Sequence, residues 1–128
     1  MNRAALAAAL ALAAFIAPAM AANALKCISS GDVFLFELTP DANGFVGVTY
    51  IMRDGAGAVP FGRAKMTQTL GAYNFDLRAR DRHDVFNIDR RTGAYTAVGA
   101  MLDEKGNPID KEQPTQGTCQ PVILTPKM

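Results

Sequence analysis

The chain has no tryptophan, one histidine, two cysteines and, at Ser29 and Ser30, its only serines. Each scarcity removes a class of chemistry. One histidine cannot build a zinc site, and oxidised cysteines would add no thiolate ligands. A Ser/His/Asp triad would have to use His83 and Asp84, but neighbours on an extended chain point to opposite sides. Ser29 and Ser30 lie beside Cys27 with no nucleophile motif around them. The glycine-rich stretch Gly55-Ala56-Gly57-Ala58-Val59-Pro60 lacks the third glycine of a dinucleotide fingerprint, and no helix pattern follows it. Asp41, Asp54 and Asp110 lack the alternating Asp/Asn loop and terminal glutamate of a calcium site. The expectation is a non-catalytic protein with no cofactor and no metal.

Long apolar runs are also scarce. The longest, Ala4–Ile16, is shorter than the ~20 residues a helix needs to span a bilayer. It follows a short positive segment, Met1-Asn2-Arg3, and is ended by Pro18 and the small residues Ala19-Met20-Ala21. That order is a secretory signal peptide over residues 1–21, with cleavage after Ala21, or alternatively after Ala24. The expected mature chain, residues 22–128, is one secreted domain without a membrane span, periplasmic or extracellular. Removing the leader takes away Arg3 and no acid, which leaves twelve basic and twelve acidic side chains. A balance of that kind gives no footing for nucleic acid.

In a secreted domain, two cysteines most simply pair, here Cys27 with Cys119. The bridge would enclose nearly the whole domain, and a loop of that length is worth about 4–5 kcal/mol in the loop-entropy description. It would also pin the first strand to the last.

What the chain has in abundance is short apolar runs broken by turn chemistry. Val33–Leu38, Phe45–Met52, Phe61–Leu70, Tyr73–Arg80, the two arms of Val85–Gly99, and Thr118–Leu124 read as about seven strands. The hairpin Val85–Gly99 is the clearest. Asp89 suits the first position of a turn and Gly93 the positive φ that closes it, so Ile88 faces Tyr95 and Phe86 faces Ala97. Asp103–Pro108 is another turn, Asp110–Gly117 reads as a polar loop, and no stretch has a helical period. The fold class is all-β, a small antiparallel meander closed as a barrel or folded as a sandwich.

A leader, an early and a late cysteine, a string of short strands and the element Thr92-Gly93-Ala94-Tyr95 resemble the small periplasmic barrels that inhibit C-type lysozymes. In that family a loop beginning Ser-Gly enters the target's active-site cleft. Here threonine stands for serine, with one residue fewer before the tyrosine. The resemblance implies lysozyme inhibition as one alternative function.

From the residues themselves, the leading expectation is a binding protein for another macromolecule, monomeric in itself. Its candidate surface is the clustered charge of Arg78, Arg80 and Arg82, which share one face if the chain stays extended, with Arg90 and Arg91 near one end of the row. An acidic protein surface or an anionic envelope polymer would suit it. The other alternative is a barrel that carries a small ligand. An interior void above roughly 300 Å³, lined by Gly47, Gly99 and Ala97, favours the carrier; a solid core with an exposed apolar patch favours a macromolecular partner.

Mass spectrometry of the exported protein should find a chain beginning at Ala22, lighter by the hydrogens lost on oxidation. A chain that retains Arg3, or one that reacts with a thiol reagent before reduction, would contradict the leader or the disulfide.

Overall fold

The computed structural model describes residues 22–52, 55, 57–111 and 113–125. The proposed leader, residues 1–21, lies outside the described residues. The chain forms nine strands: β1 (Ala24–Ser29), β2 (Val33–Glu37), β3 (Phe45–Ile51), β4 (Ala58–Gln68), β5 (Ala72–Arg78), β6 (Arg82–Asp89), β7 (Ala94–Leu102), β8 (Pro108–Lys111) and β9 (Thr115–Val122). All pairings are antiparallel, and there is no helix among the described residues. Strands β1 to β7 follow one another around the sheet, β9 pairs with β7, and β1 pairs with β9. That ring of eight is a closed barrel, and β8 is an extra strand on β7.

The turns show why the sequence folds into a meander. Asp41, Asp89 and Asp103 each accept two backbone N–H groups on one carboxylate oxygen: Asn43 and Phe45 at 2.8 and 3.0 Å, Arg91 and Thr92 at 2.8 and 3.1 Å, Lys105 and Asn107 at 2.9 and 2.8 Å. These donors hold the Asp41 and Asp89 carboxyls below the usual range. A glycine at positive φ completes each turn, Gly44 at 86°, Gly93 at 80° and Gly106 at 84°. In the hairpin Ile88 pairs with Tyr95 and Phe86 with Ala97, the register read from the sequence.

Period-2 alternation puts one face of each strand inside. Phe36, Val46, Phe75 and Ile88 are fully enclosed, and the Phe36 and Phe75 rings stack with centroids 4.5 Å apart. Cys27 and Cys119 are directly opposed across β1 and β9 and form the disulfide, with a sequence separation of 92 and Cα atoms 4.0 Å apart. The bridge lies inside the barrel, with both cysteines buried. Such a crosslink fits an oxidising, extracytoplasmic environment.

Besides β1 (Ala24–Ser29), which is missing from the strands read from the sequence, two expectations need correcting. Asp110–Gly117 is not a loop: β8 and the start of β9 both lie along the same edge of β7. Ala100 pairs with Lys111 and Ala97 with Thr115, so the register of the second pairing differs by one from that of the first. The backbone of β7 supplies this pairing whatever the side chains, so the polar sequence carries no alternation to reveal it. The other is the course of β4, which begins at Ala58 rather than Phe61. Val48 pairs with Gly62 but Thr49 with Pro60, so Phe61 is a bulge with no partner. The bulge reverses the strand's alternation: Arg63 and Lys65 point outward, while Phe61, of the same parity, turns inward and the exposed Val59 borders the same opening.

Replacing Gly93 by Val should cost more than about 1 kcal/mol in a denaturant titration, because a β-branched residue resists positive φ. An unchanged midpoint would contradict the turn geometry.

Candidate functional site

The barrel is filled at one end and open at the other. The open end is where β1 and β3 finish and β2, β4 and β6 begin. A pocket of about 320 Å³ there reaches down to the core. Its walls carry five aromatic side chains, Phe34, Tyr50, Phe61, Phe86 and Tyr95. Phe34 is the hub, with ring centroids 5.0 Å from Phe61, 5.4 Å from Tyr50 and 5.5 Å from Phe86. The bulge at Phe61 brings that ring inside, beside Pro60, whose missing N–H suits an interrupted ladder. Small residues Ala97 and Gly99 line the wall from β7 and leave the space unfilled. Gly47, expected in such a lining, is elsewhere: its N–H donates to a Glu37 carboxylate oxygen at 3.1 Å.

The polar groups are few. Arg82, Asp84, Phe86 and Ile88 share the inward face of β6, so the alternation that builds the core also brings an ion pair into it. Arg82 donates through Nε and Nη2 to the two carboxylate oxygens of Asp84, at 3.2 and 2.9 Å, and Asp84 is 6% exposed. A third donation runs from Nη1 of Arg82 to the Met101 sulfur at 3.4 Å. Losing the arginine would leave a buried carboxylate without these donors, which is costly. Asp32, at the rim, is exposed. Tyr95 is 2% exposed; burial, with the charges of Asp32 and Asp84, pushes its phenol well above the usual tyrosine range.

The arginine row expected from the sequence does not form. A tight turn, closed by the Ala79 N–H donating to the Arg82 carbonyl at 2.8 Å, separates β5 from β6 and folds Arg78 across from His83. Arg78 is exposed and 4.0 Å from Asp76, Arg80 is in the turn, and Arg82 points into the barrel. Arg90 and Arg91 are in the turn at the opposite end of β6. Arg90 donates to the Thr69 carbonyl at 2.6 Å and lies over the Tyr73 ring at 4.6 Å, tying two loops together at the filled end. The five arginines therefore present no single face. His83 donates or accepts outside the barrel, 2.7 Å from Asp76, with Asp84 inside. The element Thr92-Gly93-Ala94-Tyr95 enters β7 from the filled end, and its tyrosine is buried.

Sequence reasoning named Ala97 and Gly99 as the lining of a void in the carrier alternative, but missed the aromatic and charged residues around it. Two signals were present: Arg82 and Asp84 continue the inward parity of Phe86 and Ile88, and Pro60 and Gly62 flank Phe61 in the manner of a bulge. No family model, curated protein or solved structure matches this chain.

Proposed function

We propose that this chain is an exported, non-catalytic protein whose barrel binds a small molecule in its open end. One observation carries the reading: a half-filled barrel whose pocket of about 320 Å³ combines aromatic walls with a few fixed polar groups. Ligand sites have this composition, and an eight-stranded barrel is just wide enough to be filled by its own side chains or to hold one small ligand. Here Ala97 and Gly99 stand where large side chains would complete the filling. The disulfide and the apolar leader support export, which would place the protein in the periplasm or outside the cell.

A macromolecular partner, the leading expectation from the sequence, would be favoured by a solid core with an exposed apolar patch, and its candidate surface would be the row of arginines. The interior is vacant at one end, and the arginines are dispersed. The carrier reading therefore uses more of what the chain has built.

The test is thermal unfolding of the oxidised domain against a set of ring-sized compounds. Some should raise the melting temperature, as any ligand of the native state does. Ala97→Phe, which fills the pocket from β7, should abolish those shifts while the variant still unfolds cooperatively. Shifts that persist in Ala97→Phe would place binding elsewhere and overturn the reading, as would a complete absence of shifts in the parent protein.

A further inference from the structure

We propose that the occupant is a small organic cation, an ammonium on a body about the size of one aromatic ring, held with its charge beside Asp32 and the Tyr95 hydroxyl. The inference rests on the pocket reading above and concerns only the charge and size of the ligand.

Three observations lead to it. The first is charge balance. Both oxygens of Asp84 are taken by Arg82, so that pair is internally neutral. Asp32 makes no ion pair or side-chain hydrogen bond among the described residues; only its carbonyl is used, accepting from the Ser29 N–H at 2.9 Å and from the Ser29 hydroxyl. Among the described lining residues, Asp32 is therefore the one charged side chain without an opposite charge beside it.

The second is Tyr95. It is almost wholly buried, yet its hydroxyl has no hydrogen-bond partner among the described residues. No fully enclosed side-chain oxygen or nitrogen among those residues is left unpaired, so this hydroxyl must reach the open space of the pocket that Tyr95 lines. Buried phenols normally find a partner. Burial, and after it the charges of Asp32 and Asp84, keep this phenol in its protonated form, so its oxygen is available to accept from a ligand N–H.

The third is the wall. Aromatic faces attract a cation that approaches within about 6 Å of the ring centre. Phe34 lies between Tyr50 and Phe61, 5.4 and 5.0 Å from their ring centres, and all three rings border the pocket. An anionic ligand faces the opposite situation. To engage Arg82 it would have to displace Asp84 and leave a carboxylate buried and unpaired. A neutral ring would fit the walls but leave Asp32 and its field unused.

The experiment uses the oxidised, exported protein and three probes with a common ring: phenethylamine, phenethyl alcohol and phenylpropionate. Each is titrated while the backbone amides are followed by NMR. The amine should bind about fivefold tighter than the alcohol, near the ceiling for an exposed ion pair, with the carboxylate weakest. Asp32→Asn should remove the amine's advantage and leave the alcohol's affinity unchanged; the side chain is exposed, so the fold should survive. An alcohol or carboxylate that binds as well as the amine, or an amine preference that survives Asp32→Asn, overturns the cation and leaves the pocket standing. If none of the three moves an amide around Ala97 and Gly99, the ring-sized cation falls together with the carrier reading.

Discussion

The pairing of the first strand with the last is the constraint on which everything else depends. A meander closes into a barrel only if β1 meets β9, and that contact brings together residues separated by nearly the whole domain. The entropy of closing so long a loop opposes it. The Cys27–Cys119 disulfide removes much of that cost from the unfolded chain, about 4–5 kcal/mol for a loop with a separation of 92. This is comparable to the whole stability of a small domain. Gly117 contributes on the same seam: a Cβ there would collide with the carbonyl of Ile28, so only glycine lets β9 approach β1 this closely.

A closed seam permits an incomplete core. A barrel with no free edge in its ring retains its backbone ladder even where side chains do not fill it. The filled end is held by stacked and enclosed rings, the Asp89 turn and Arg90 across Tyr73. At the open end the same inward parity delivers Arg82, Asp84, Ala97 and Gly99, which are either charged or small. Polar groups turned towards a core are the informative exception in a small domain, and here they surround the space. The bulge in β4 completes the wall by turning Phe61 inward against the alternation of its own strand.

The parts of this fold that were legible in the sequence are those set by local chemistry. The turns at Asp89–Gly93 and Asp103–Pro108, the Phe86/Ile88/Tyr95 register and the cysteine pair each follow from a few residues and hold in the structure. The parts that were hidden depend on neighbours far along the chain. β8 and the start of β9 are strands because β7 offers them an edge, not because Pro108–Lys111 or Thr115–Thr118 alternate. The arginine row failed because the turn at Ala79–Asp81 contains neither glycine nor proline, and nothing local announced it. The pocket itself is a vacancy between seven strands, and its two local clues, Pro60 beside Phe61 and the parity of Arg82 and Asp84, gain meaning only once the barrel is closed.

The measurement that bears most directly on this account is residue-resolved amide exchange of the oxidised protein against the Cys27→Ala/Cys119→Ala double variant. If the seam holds the barrel closed around an unfilled end, protection in the variant should be lost first along β1 and β9 and at Ala97 and Gly99. The β4–β5–β6 wall at the filled end, around Phe75 and Ile88, should retain it longest. A variant that loses protection evenly throughout, or loses none, would show that the core holds the barrel and the seam does not.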